Sequence, residues 1–77
     1  MIKVFSTPTC AYCDTLKEYL KEKKVDFKDI DVSKDDAALD EMIKNSKQMA
    51  VPVVDIDGEI IIGFDKEKIN QLLKIQE

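Results

Sequence analysis

The apolar positions of this chain change period several times, and each change marks an element. Ile2 to Phe5 is a short β-branched and aromatic run, ended by Ser6-Thr7-Pro8-Thr9, and predicts a first strand. A helical period follows. Leu16, Tyr19 and Leu20 fall on one face with Ala11 and Thr15, while Asp14, Lys17, Glu18 and Lys21 fall on the other, so the spacing predicts a helix over Ala11–Lys24. Lys21, Lys23 and Lys24 suit its negative dipole end. Val25 to Val32 alternates, with Ile30 and Val32 between Asp29, Asp31 and Ser33, and predicts a second strand with one wet face. Ser33-Lys34-Asp35-Asp36 fits a capping box, opening a helix whose inner stripe is Leu39, Met42 and Ile43. Val53–Ile56 and Glu59–Ile62 flank Asp57-Gly58, a strong hairpin signal, and Gly63 ends the pair. Asp65 caps a last helix with Ile69, Leu72 and Leu73 inward.

The element order is therefore β-α-β-α-β-β-α. A strand–helix–strand unit implies a parallel pair with a right-handed crossover, and the later hairpin adds antiparallel strands. The expectation is an α/β domain over residues 1–77, a four-stranded mixed sheet whose Val- and Ile-rich strands are flanked by three helices. No repeat, low-complexity tract or linker divides the chain.

Composition narrows the function. A chain of 77 residues has room for one domain with a thin stability margin. Twelve basic against 16 acidic residues give a net charge of −4, which argues against a nucleic-acid phosphate tracker. The longest aliphatic run, Ile60-Ile61-Ile62, is far too short to span a bilayer, and Lys3 interrupts any apolar leader. Two Cys and no His are too few for a secreted disulfide scaffold, so a reducing cytoplasmic setting is expected.

The chemistry lies in Cys10-Ala11-Tyr12-Cys13, placed where a strand has ended and a helix begins. Two intervening residues make one helical turn, so both sulfurs reach the same edge and can close a disulfide with little backbone movement. Cys10 comes first, near unpaired amides and the positive dipole end, which favours thiolate; Cys13, a turn deeper, is the resolving thiol. A structural zinc site needs four ligands, and two thiols with no imidazole do not supply them. No metal ligand set is expected. A purely structural disulfide closing so short a loop would add little stability.

Thr9-Cys10-Ala11-Tyr12-Cys13 after a strand, Val51-Pro52 before a hairpin, and Gly63 with Asp65 opening the last helix together resemble the glutaredoxin family, in order and over nearly the whole chain. The nearest type is the short bacterial glutaredoxin-like redoxin, including those serving ribonucleotide reductase. The resemblance implies a thioredoxin-like fold and a thiol–disulfide oxidoreductase that reduces protein disulfides or glutathione mixed disulfides. It implies that Cys10 and Cys13 are catalytic, and that Thr9, Tyr12, Val51, Pro52, Phe64 and Asp65 hold substrate. Pro52 would be cis and face the cysteines, with the Val51 backbone pairing to the substrate. Tyr12 would lie beside glutathione, and Asp65 and the backbone of Phe64 would hold its γ-glutamyl end. Lys47 and Gln48 match the family's contacts to the glycine carboxylate loosely. No permanently bound cofactor is implied; glutathione would be a co-substrate and the protein a monomer.

Several positions depart from the family pattern. Thr7 stands where a Lys or Arg is common three residues before the first Cys, Ala11 replaces the usual Pro, Ala50 replaces a common Thr, and Phe64 follows Gly63 where a small residue is usual. These departures weigh on glutathione specificity and leave dithiol chemistry intact. Glutathione and thioredoxin reductase both stay open as electron donors. Ala11 also keeps a binding alternative in view, a glutathione-dependent [2Fe–2S] cluster held between two chains by Cys10 of each.

Overall fold

A computed structural model describes residues 2–74. Within them the chain runs β1 (Ile2–Ser6), α1 (Ala11–Glu22), β2 (Lys28–Asp31), α2 (Asp36–Ser46), β3 (Val53–Ile56), β4 (Glu59–Ile62) and α3 (Lys66–Leu73). The strands form one mixed sheet in the order β2-β1-β3-β4. β1 pairs with β2 in parallel, Phe5 opposite Ile30, and with β3 antiparallel, Phe5 opposite Val53. The predicted α/β architecture, thioredoxin-like with three helices around four strands, is the one observed.

Strand alternation divides the core in two. On one face Val4, Val54, Ile56 and Ile61 meet Leu16, Tyr19 and Leu20 of α1 and Ile69 of α3. On the other, Phe5, Val32 and Val53 pack with Met42 of α2, and Leu39 and Ile43 close over them. The crossover through α1 carries the chain from β1 to β2 and leaves the N-terminus of α1 beyond the C-terminal end of β1. That edge holds the two cysteines.

Three local predictions need correction. α1 stops at Glu22 rather than Lys24, because Lys24 turns into the left-handed region (φ 59°). Its N–H then bonds Lys21 O at 3.0 Å, and Val25 N–H bonds Leu20 O at 2.9 Å, a Schellman closure. β2 is only Lys28–Asp31, not Val25–Val32. Val25 is used in that closure, and β1, whose paired residues begin at Lys3 on this side, offers partners to Lys28 through Asp31. The cap of α2 is Asp35, whose Oδ1 accepts the Ala38 N–H at 3.1 Å. Ser33 is not the cap; its hydroxyl and its N–H both donate to Asp31 Oδ1. The hairpin falls where predicted. Asp57 (φ 50°) and Gly58 (φ 96°) supply the two positive φ angles of a type I′ turn.

Candidate redox site

Cys10 is the N-cap of α1, with extended backbone (φ −95°, ψ 109°). Its Sγ accepts the Cys13 N–H at 3.1 Å, so a sulfur does what a serine or aspartate oxygen does at an ordinary cap. Thr7 O accepts the Cys10 N–H at 3.3 Å, which holds the Thr7-Pro8-Thr9 loop under the helix mouth. Cys10 and Cys13 form a disulfide, with Cα atoms 5.2 Å apart, inside the usual range for a bridge. The two sulfurs differ in surroundings: Cys10 is half-buried, whereas Cys13 is fully buried. Amide hydrogens and the positive helix end act on Cys10, a setting that stabilises negative charge on sulfur.

Beside the pair lies a groove of about 270 Å³ lined by Tyr12, Val51, Pro52, Gly63 and Phe64. Four of the six residues expected to hold substrate therefore share one wall system. Tyr12 stands between the cysteines and is 71% exposed. The Val51–Pro52 bond is cis. Gly63 N–H donates to Pro52 O at 2.8 Å, tying the end of the hairpin to this loop. Val51 lies outside the β1–β3 ladder, whose pairing with β1 begins at Val53. Phe64 is half-buried and packs its ring against Tyr19 of α1, centroids 5.7 Å apart.

Asp65 and Thr9 are not in the lining of that groove. Asp65 follows Phe64 directly and caps α3, its Oδ1 accepting the Lys68 N–H at 3.2 Å. Thr9 is exposed one residue before Cys10. Lys47, also exposed, closes α2 in the left-handed region (φ 62°). Among the described residues no group of three or more Cys, Asp or Glu side chains gathers as metal ligands would.

Sequence reasoning missed a polar chain under α1. Ser6 Oγ donates to Asp29 Oδ1 at 2.9 Å, and Lys17 Nζ lies 3.1 Å from Asp29 Oδ2. No single residue signals it: Lys17 reads as part of the polar face of α1, and the strand register is what sets Asp29 on the same sheet face as Ser6. Gly63, read as the hairpin end and as part of the family motif before the last helix, also forms part of the groove wall.

A half-buried sulfur at a helix cap, a fully buried partner and a cis-proline loop alongside form a dithiol site. The glutaredoxin family model matches residues 2–61 of this sequence. This chain belongs to the glutaredoxin family. Among its relatives is a glutaredoxin-like 8.6 kDa protein of the rubredoxin operon in Clostridium pasteurianum, 51% identical, with the alignment covering 96% of this chain and 99% of the other. Among solved structures, the thioredoxin-like protein BC3987 superposes with a TM-score of 0.88 at 39% identity, over 94% of this chain and 99% of that one. The NrdH-redoxin of Escherichia coli, a glutaredoxin-like protein with a thioredoxin-like activity profile, gives a TM-score of 0.80 at 25% identity over 92% of each chain. The chain, which carries a Cys10–Cys13 pair, is thus a member of a glutaredoxin- and thioredoxin-like oxidoreductase family.

Proposed function

We propose that this glutaredoxin reduces disulfides by a dithiol cycle in which Cys10 attacks and Cys13 resolves. The observation that carries the reading is the cap itself: the Cys13 amide donates to Cys10 Sγ at 3.1 Å while the Cys13 side chain is fully buried. In the reduced protein the Cys10 thiolate attacks one sulfur of a client disulfide. The client's S–S bond breaks, a Cys10–client mixed disulfide forms, and one client sulfur leaves as thiolate. Cys13 then loses its proton and attacks Cys10 Sγ, expelling the second client sulfur. Two electrons have passed to the client, and the Cys10–Cys13 disulfide remains. With a glutathione mixed disulfide, Cys10 takes the glutathionyl group and a second glutathione releases it.

Tyr12, Val51, Pro52 and the backbone of Phe64 hold the substrate in their shared groove, with the Val51 backbone pairing to an extended segment and the Phe64 ring narrowing the space. Thr9 and Asp65 bound it at either side. Electrons return from glutathione or from thioredoxin reductase; likeness to the NrdH-redoxin, which has a thioredoxin-like activity profile, supports the reductase, and ribonucleotide reductase is one client. The protein works as a monomer in the reducing cytoplasm, with no permanent cofactor. A [2Fe–2S] cluster shared by two chains is a second reading, which Ala11 in place of proline favours. Iron content and visible absorption after anaerobic purification test it.

The deciding experiment is turnover with each donor, run beside single-cysteine variants. Cys10→Ser abolishes disulfide reduction with both donors. Cys13→Ser keeps glutathione-linked activity and loses dithiol reduction. Full activity in Cys10→Ser overturns the assignment.

A further inference from the structure

We propose that Lys17 is a positioning residue for the redox pair: fixed by Asp29, its ammonium, one helical turn from Cys13, offsets the carboxylates of Asp14 and Asp29 and so favours the thiolate state of the opened disulfide. This rests on the reading of Cys10 as the attacking sulfur. Lys17 follows Cys13 by four residues, so the two share one face of α1, a turn apart. Its side chain is 19% exposed, unusually covered for a helix lysine. Nζ lies 3.1 Å from Asp29 Oδ2 on β2 and 3.9 Å from Asp14 Oδ1 on α1. The remaining oxygen of Asp29 accepts from Ser6, which is 2% exposed at the end of β1, four residues before Cys10. The ammonium is therefore tied to the same strand end that delivers Cys10.

The charges facing this part of α1 are Asp14 and Lys17 on the helix and Asp29 on β2, with Ser6 neutral. They sum to −1 with Lys17 and to −2 without it. Asp31, at the end of β2, also feels Lys17, but Lys34 offsets it as well. The loop Thr7-Pro8-Thr9 carries no charge, so no cation there makes up the difference. A more negative surrounding disfavours a thiolate, and the cover over the Lys17 side chain, 19% exposed against 50% for Asp29 and 68% for Asp14, lessens solvent screening at the ammonium itself. Opening the Cys10–Cys13 bond takes two electrons from a thiol reductant and one proton, leaving a thiolate at Cys10 and a thiol at Cys13. Lys17 acts on that charge through position, without touching the reacting atoms.

The test is the pH profile of reaction of the reduced full chain with a small uncharged disulfide, together with the redox equilibrium against glutathione. Lys17→Met raises the pH of half-maximal rate by about half a unit or more and makes the pair more easily oxidised, whereas Lys17→Arg returns both toward wild type. Lys17→Gln serves in the same way should Lys17→Met fail to fold. An unchanged midpoint in the neutral variant overturns the proposal, as does an Arg variant that shifts as far as Met. Failure of the underlying reading shows differently, as reaction that persists in Cys10→Ser.

Discussion

The rings of Phe64 and Tyr19 sit 5.7 Å apart at a 57° tilt, so the wall of the substrate groove is packed directly onto α1. Tyr19 is nearly buried, and its hydroxyl also donates to Asn70 Oδ1 of α3. The groove wall is thereby braced by two helices. Phe64→Ala removes the ring pair and part of a half-buried apolar side chain. We expect a loss of about 1–3 kcal/mol in urea denaturation, below the full cost of a buried Phe. The same change widens the groove, so KM for a glutathionylated substrate falls. A rise in KM would mean that the Phe64 ring is a contact for glutathione rather than an obstruction.

All three helices end with a lysine in the left-handed region: Lys24 (φ 59°), Lys47 (φ 62°) and Lys74 (φ 57°). A side chain with a Cβ is strained there, and glycine is the usual occupant. Lys47→Gly keeps the cap, in which Lys47 N–H bonds Ile43 O at 2.7 Å, and relieves the strain. It should stabilise the protein by about 1 kcal/mol, read as a higher midpoint in urea. Destabilisation would show that the Lys47 side chain contributes more than its backbone costs.

Asp31 carries the clearest acid–base signature of the fold. Its carboxyl is held below the ordinary aspartate value of 3.8, first by the Ser33 hydroxyl; burial opposes this as the next largest effect, and the Ser33 N–H and the Lys34 and Lys17 charges add smaller lowering ones. Because the folded value is depressed, the stability it contributes is present above the unfolded value and is lost as pH falls through the folded one. Ser33→Ala removes the largest cause. The Asp31 carboxyl, followed by NMR titration, should then move up toward 3.8. No movement would assign the shift to the backbone N–H and the lysines instead.

Much of this was legible in the order of residues. The hairpin was placed to the residue, because Asp57-Gly58 leaves a two-residue turn few alternatives. The Cys-x-x-Cys pair was placed at a helix mouth, because the period changes there. The errors share a cause in tertiary context. β2 is short because its length is set by the strand it pairs with, which its own alternation does not report. Ser33 lost the cap to Asp35 because Asp31 captured its hydroxyl, and a capping motif cannot reveal a competing acceptor. Tyr12, Val51, Pro52 and Phe64 line one groove, although they come from three separate stretches of chain. The Ser6–Asp29–Lys17 chain was not anticipated, since each residue reads alone as an ordinary surface polar group.

The central claim is that the two sulfurs are unequal, and alkylation of single-cysteine variants across pH measures it most directly. In Cys13→Ser the rate reports Cys10, and in Cys10→Ser it reports Cys13. The account predicts that Cys10 becomes reactive below the ordinary free-cysteine value of about 8.5 and well below Cys13, as a helix-cap sulfur should. Equal midpoints for the two thiols, or a lower one for Cys13, would contradict it.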